Sequence, residues 1–243
     1  MRRATGRSAT IPAVHRFLRI LSVALITAGI TIGVDVGLTL AWKEPMSTIY
    51  GSIQQGKAAD SLAALEQEFP TLPEVKRVKQ QASHSAPDPE RKLHALADVF
   101  ADHVETGQGI GRIKIPSIGL DIVVVQGTDT SSLQKGPGHY PLTAFPGQEK
   151  TIGIAGHRTT YLAPFRKIND IADGDQITLE MPYGTFTYTV QKHEVVDPSD
   201  VGIVDNVGYE RLVLTACHPL YSAAQRWAVF ARLTDEVPRG AGG

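Results

Sequence analysis

The feature that most constrains this fold is a change in hydrophobic period at Gly109. Before it, apolar residues recur at helical spacing; after it, they alternate with polar residues or form short β-rich runs. Pro182-Tyr183-Gly184 between two such runs indicates a hairpin. Seven or eight short strands predict a mainly β fold, a closed barrel or a sandwich. The predicted strands are 113–115, 120–125, 151–155, 176–181, 185–196, 212–215 and 227–233, with short helices near 131–135 and 164–170.

The N-terminal residues predict a membrane anchor. Residues 1–19 contain five arginines and no acid, and residues 20–42 are apolar apart from Asp35. Such a stretch matches the ~20 residues that a membrane-spanning helix needs. The positive-inside rule places the arginine-rich end in the cytoplasm and the residues after Trp42 outside the cell. A cleaved signal peptide is the alternative, although the segment is long for one and no small-residue cleavage site follows it.

Residues 43–108 predict an extracytoplasmic helical stalk with a linker. Leu62, Leu65 and Phe69 fall on one face of a predicted helix, and the two prolines that follow end this helix. A proline-containing linker near 83–89 precedes a second amphipathic helix over 93–104, which can pack on the next domain. The predicted organisation is a cytoplasmic N-terminus (1–19), a transmembrane helix (20–42), the stalk and linker (43–108), a catalytic β domain (109–235) and a C-terminal tail (236–243).

Composition excludes several classes of function. The formal net charge is -1 and charged residues make up 20% of the chain, so no broad basic surface for nucleic acid is expected. The single cysteine excludes an intramolecular disulfide and a multi-cysteine zinc site. We expect neither a metal nor a cofactor. A lone cysteine is either an inert buried residue or a nucleophile, and composition leaves both open.

Three residues at predicted strand ends could carry acyl-transfer chemistry. His157 and Cys217 each follow an apolar run, and Arg226 begins the last one. A thiol (pKa ~8.5) needs a partner to become a useful nucleophile, and a neighbouring histidine or arginine favours the thiolate. Because a guanidinium keeps its proton at neutral pH, Arg226 is a poor base but a good fixed donor to an oxyanion.

The motifs around these residues resemble the sortase family, and most closely its actinobacterial class E. This resemblance spans residues 109–233 and implies an eight-stranded β-barrel of the sortase type. It also implies that Cys217 is the nucleophile, His157 its proton partner and Arg226 the oxyanion stabiliser. The matching stretches are Ile113-Lys114-Ile115-Pro116-Ser117-Ile118-Gly119-Leu120, Gly136-Pro137-Gly138-His139-Tyr140-Pro141, Ala155-Gly156-His157-Arg158-Thr159-Thr160-Tyr161, Ala163-Pro164-Phe165, Leu214-Thr215-Ala216-Cys217-His218-Pro219, and Ser222-Ala223 leading to Arg226.

The resemblance also implies a substrate pocket beside the nucleophile. Tyr140 is expected to line it, and Thr215, Ala216 and His218 to flank it, with His218 in a supporting role. The chain departs from the family at Val213 and Ala216, where sortases usually carry threonine. Ala216 lacks the hydroxyl that in relatives lies beside the substrate. His139 is read as a loop residue, and the remaining histidines of the stalk and barrel as solvated.

The function implied is that of a membrane-anchored cysteine transpeptidase. It would cleave a Leu-Ala/Pro-x-Thr-Gly-type signal between Thr and Gly, through a thioacyl intermediate. Its partners would be secreted proteins with C-terminal sorting signals, a peptidoglycan-precursor amine as acceptor, and the cell membrane. The alternatives are a pilin-polymerising sortase, a weakly active paralogue, and a non-catalytic envelope interaction protein.

Overall fold

The structure is a computed structural model that describes residues 11–42, 45–84 and 88–239. The chain divides into two compact units, Met1–Pro45 and Met46–Gly243. The first unit contains one long helix, α1 (Ile11–Trp42). Within it, Val14–Gly37 has a mean hydropathy of 2.0 and exposed side chains, so it is long and apolar enough to cross a membrane. The helix begins at Ile11 rather than at residue 20, and the arginines at positions 2, 3 and 7 lie outside the described residues.

Three helices precede the barrel: α2 (Pro45–Glu68), α3 (Pro73–His84) and α4 (Pro89–His103). The two predicted amphipathic helices correspond to α2 and α4. The sequence did not predict α3, because Pro73 was taken only as the end of the preceding helix. Pro73 instead begins α3, at a position where the missing N–H removes no helical hydrogen bond. In the predicted linker, residues 85–87 lie outside the described residues.

The predicted stalk is packed against the barrel from residue 46 onward, and the two form one compact unit. Leu93, Leu96 and Phe100 on one face of α4 are at most 2% exposed and belong to the same hydrophobic core as the barrel interior. Asp88 caps α4 by accepting a 3.1 Å hydrogen bond from the Arg91 N–H. Burial of large apolar side chains, at roughly 1.5–3 kcal/mol each, makes α4 part of the domain.

Eight strands close into a barrel in the order β1-β2-β3-β4-β7-β8-β6-β5. The pairs β2–β3 and β4–β7 are parallel and the others antiparallel. A four-residue helix α5 (Thr130–Leu133) follows β2, near the predicted 131–135. The strands are β1 (Gly109–Ile115), β2 (Leu120–Gln126), β3 (Gly138–His139), β4 (Thr151–Ala155), β5 (Gln176–Met181), β6 (Gly184–Val196), β7 (Arg211–His218) and β8 (Gln225–Pro238).

The closed eight-stranded barrel confirms the predicted fold class. Alternation along the strands separates the barrel interior from its outer face. In β4, Ile152 and Ile154 point into the core; in β7, Leu212 and Leu214 do the same. Residues between them therefore face outward, so β4 and β7 present a shared outer surface that ends at the same edge of the barrel.

Candidate active site

The nucleophile candidate and the oxyanion-stabiliser candidate lie opposite each other on neighbouring strands. Cys217 in β7 is the register partner of Arg226 in β8. Directly opposed residues of an antiparallel pair place their side chains on the same face, with Cβ atoms about 4.5–5.5 Å apart. The Cys217 thiol is free and half-buried. The strand register alone therefore brings these two residues together.

His157 reaches the same place through the parallel pair β4–β7. Ala155 at the end of β4 is paired with Thr215 of β7. His157 and Cys217 each lie two residues beyond that pair, on chains that run in the same direction. Strand pairing thus places all three predicted catalytic residues at the same end of the barrel.

Arg226 is half-buried at the start of β8. Its Nη1 donates 3.0 Å hydrogen bonds to the carbonyls of Ala223 and Gln225, in its own loop. A guanidinium carries five N–H donors, so three remain for other partners. The two hydrogen bonds to the loop fix one side of the guanidinium of Arg226. The remaining N–H groups can face a negative charge beside Cys217.

His157 is partly shielded from solvent by the loop that carries it. Burial lowers the pKa of His157 below its ordinary value, because water no longer stabilises the imidazolium. Its ring lies 5.2 Å from that of Tyr161, tilted by 43°. Its carbonyl accepts a 3.0 Å hydrogen bond from the Phe165 N–H, which folds the loop back on itself. This shift lowers the share of His157 that is charged at neutral pH.

Arg158 is a residue of the site that sequence reasoning missed. It is 6% exposed, and its Nη1 donates to the Cys217 carbonyl at 3.2 Å and approaches His218 Nδ1 at 3.3 Å. Its Nη2 donates to Asn169 Oδ1, and its buried Nε has no hydrogen-bond partner among the described residues. Burial lowers the pKa of Arg158, while the charge of Asp170 opposes that shift.

Arg158 therefore connects the loop after β4 to the end of β7 by a hydrogen bond to the carbonyl of the candidate nucleophile itself. Its position in Ala155-Gly156-His157-Arg158 was part of the quoted motif. The available signal was an arginine directly after the predicted active-site histidine. A sequence does not reveal that such a side chain turns inward.

Tyr140 and Thr215, two of the predicted substrate-binding residues, are hydrogen-bonded to each other. Tyr140 Oη and Thr215 Oγ1 are 2.8 Å apart. The Tyr140 ring packs against Gly153 of β4. A Cβ at this glycine would lie 2.5 Å from Tyr140 Cδ2 and 3.2 Å from Val204 Cγ1. Gly153 thus makes room for an aromatic ring on the outer face of β4 and β7, next to the Cys217 end.

Ala216 and His218 do not share this outer face. Ala216 is 3% exposed and packs in the barrel core. Successive residues of a strand point to opposite sides, so the neighbour of Cys217 cannot line the same surface. The expectation that Ala216 flanks the substrate is therefore corrected to a core position. His218 points the same way, with its ring 5.4 Å from Trp227 and next to Arg158, which fits a supporting role.

Two histidines differ from their predicted surroundings. His139 is 1% exposed in β3 rather than in a loop, and burial lowers its pKa to about 4. Its ring stacks on Phe145 at 4.4 Å. His193, expected to be solvated, is half-buried with its Nε2 2.8 Å from the Ile171 carbonyl. Among the described residues, no group of three His, Cys, Asp or Glu side chains could hold a metal.

Comparison with known proteins agrees with this geometry. The model of the sortase domain matches residues 113–234. Sortase D of Bacillus subtilis is 36% identical over 132 residues, which are 53% of this chain and 65% of that protein. Sortase SrtE1 of Streptomyces coelicolor is 32% identical over 154 residues, 57% of this chain and 44% of that protein. The chain thus spans less than two thirds of either of these relatives.

A solved structure shares the fold. The structure of sortase E from Streptomyces avermitilis aligns with a TM-score of 0.52 and 34% identity, and covers 57% of this chain and 96% of that one. The shared region is the barrel, and the matched residues 113–234 include His157, Cys217 and Arg226. On this match, and on the closed barrel that carries it, the chain belongs to the sortase family.

Proposed function

We propose that this protein is a membrane-anchored cysteine transpeptidase that cleaves a Leu-Ala/Pro-x-Thr-Gly-type sorting signal between Thr and Gly. The observation that carries the proposal is the strand pairing that puts Cys217, His157 and Arg226 at the same end of the barrel. The three side chains offer a nucleophile, a proton carrier and a fixed cation, which are the groups that acyl transfer requires.

In the first half-reaction, the Cys217 thiolate attacks the Thr carbonyl carbon and the carbonyl electrons move to oxygen. Arg226 and a backbone N–H stabilise that oxyanion. When the tetrahedral intermediate collapses, the C–N bond to Gly breaks and His157 as imidazolium protonates the leaving amine. The products are a thioester on Cys217 and a peptide beginning with Gly.

In the second half-reaction, an amine from a peptidoglycan precursor attacks the thioester. Neutral His157 takes the proton of that amine, and the C–S bond breaks to regenerate the Cys217 thiolate. The lowered pKa of His157 reduces the share of the enzyme that holds the active pair of thiolate and imidazolium. We therefore expect a slow enzyme.

Tyr140 and Thr215 support the substrate side of the proposal. Their hydrogen-bonded pair covers the outer face of β4 and β7 next to Cys217. We assign this face as the binding surface for the sorting signal, with His218 in support through Arg158. Substrates would be secreted proteins with C-terminal sorting signals.

We further infer that α1 crosses the cell membrane once, with its N-terminus in the cytoplasm and the barrel outside. The support is the candidate span Val14–Gly37 together with five arginines at or before its N-terminal end, two of which, Arg16 and Arg19, lie in its first two turns. This orientation in the membrane would place the active site outside the cell, where secreted proteins and cell-wall precursors are found.

The test is peptide cleavage by the wild type and by Cys217→Ala. We expect the wild type to cleave a Leu-Ala-x-Thr-Gly or Leu-Pro-x-Thr-Gly peptide between Thr and Gly, and to transfer the acyl part to an added amine. Cys217→Ala should lose both activities while its circular dichroism spectrum and Tm stay unchanged. Cleavage by Cys217→Ala at the wild-type rate would contradict the proposal, and no cleavage by the wild type would favour a non-catalytic envelope protein.

A further inference from the structure

The loop that carries His157 has an unusual backbone. Tyr161, Leu162 and Ala163 have φ values of 48°, 67° and 44°. Non-glycine residues rarely adopt this left-handed region, because Cβ approaches the following carbonyl. Three in succession persist only when the surrounding structure holds them.

Helix α2 supplies that support through backbone contact. A Cβ added at Gly51 would lie 3.0 Å from the Tyr161 carbonyl carbon and 3.1 Å from its Cα. The helix and the loop therefore approach main chain to main chain, so closely that a side chain at position 51 would force the loop to shift by a few tenths of an ångström. Next to this contact, the rings of Tyr50 and Tyr161 meet edge to face with centroids 6.2 Å apart.

Helix α2 is itself anchored to the barrel. Gln55 Oε1 accepts a 2.7 Å hydrogen bond from the Val123 N–H, and its Nε2 donates to the Lys135 carbonyl at 2.5 Å. One turn further along, Ala58 and Leu62 pack with Val123 and Val125 of β2. The helix cannot move away from the loop without breaking these contacts.

Tyr161 links the helix to the catalytic histidine. Its ring contacts those of both Tyr50 and His157, and its hydroxyl accepts a 3.2 Å hydrogen bond from Gln134 Nε2. We propose that α2, through Gly51 and Tyr50, positions Tyr161 and thereby holds His157 in its shielded place beside Cys217. Gly51 and Tyr50 are positioning residues in this account, and the inference rests on the proposed function of His157.

Two glycines of α2 provide a matched test. At Gly51 an added methyl group meets the Tyr161 backbone, whereas at Gly56 it would have no atom of the described residues within 4 Å apart from its chain neighbours and the nearby backbone of α2 itself. Both substitutions to alanine favour the helix, by an amount that would raise Tm by about 2–4 °C. Gly56→Ala should show that gain and keep kcat unchanged.

Gly51→Ala should instead displace the loop, lower kcat about ten-fold with a smaller change in KM, and lose the gain in Tm. It should also raise the pKa of His157 toward its ordinary value, because burial is what lowers it. An NMR titration of the His157 ring measures this shift without relying on turnover. Tyr50→Ala removes the ring contact with Tyr161 and adds no atoms, so it causes no steric clash. It should also raise the pKa of His157.

If the His157 pKa and kcat of both Gly51→Ala and Tyr50→Ala match those of Gly56→Ala, the positioning role is overturned. If Gly51→Ala fails to fold, Tyr50→Ala decides the question alone. A wild type with no transpeptidase activity would overturn the proposed function, but the His157 titration would still show whether α2 positions the ring.

Discussion

The two partners of Cys217 are held in different ways. Arg226 is fixed by the β7–β8 ladder, whose register is continuous from Arg211–Arg232 to His218–Gln225. His157 instead depends on an irregular loop with three left-handed residues, a buried arginine and a helix packed against it. The oxyanion side of the site is thus part of the barrel itself, and the proton-transfer side depends on contacts from outside the barrel.

This difference predicts where the site can be disturbed. Changes at Arg226 should act mainly on chemistry, because the strand pairing that places it does not use its side chain and its two loop hydrogen bonds are exposed. Changes in the loop after β4 should affect chemistry and stability together, since the same contacts that place His157 also hold buried groups.

The largest effect is expected at Arg226. Arg226→Lys keeps the charge but loses the planar fork. Loss of one oxyanion donor costs ~10²–10³ in rate in other acyl-transfer enzymes, so kcat should fall by about that factor with little change in KM. Tm and the His157 titration should match the wild type. A raised KM with unchanged kcat would instead make Arg226 a residue that only binds substrate.

A smaller effect on rate, joined to a loss of stability, is expected at Arg158. Arg158→Gln removes charged hydrogen bonds to the Cys217 carbonyl and to Asn169, each worth about 1.5–3 kcal/mol. We expect Tm to fall and kcat to drop about ten-fold, as measured by thermal unfolding and peptide cleavage. The control is Arg166→Gln in the same loop, since Arg166 bonds the exposed Tyr221 hydroxyl instead. Equal Tm values for the two variants would contradict the structural tie assigned to Arg158.

The sequence predicted the barrel well because strand alternation and turn residues are local signals. The runs 151–155 and 176–181 coincide with β4 and β5. β3 was missed because a strand of two residues, Gly138–His139, leaves no periodic pattern. The resemblance to sortases selected His157, Cys217 and Arg226, and strand pairing brings them to one place.

What the sequence could not provide are the orientations that depend on three-dimensional neighbours. Ala216 was expected beside the substrate because the resemblance to sortases implies it, but strand alternation turns it into the core. Arg158 turns inward because Asn169 and the end of β7 offer acceptors there. The contact between Gly51 and Tyr161 joins residues far apart in the chain, and the sequence around either residue does not predict it.

The most direct test of the central claim is the intact mass of the enzyme during reaction with a Leu-Ala-x-Thr-Gly peptide and no added amine. The account predicts an adduct equal in mass to the acyl part ending in Thr, attached to Cys217, sensitive to hydroxylamine and removed by an added amine. Peptide cleavage with no covalent intermediate on Cys217, or an equal adduct on Cys217→Ala, would contradict it.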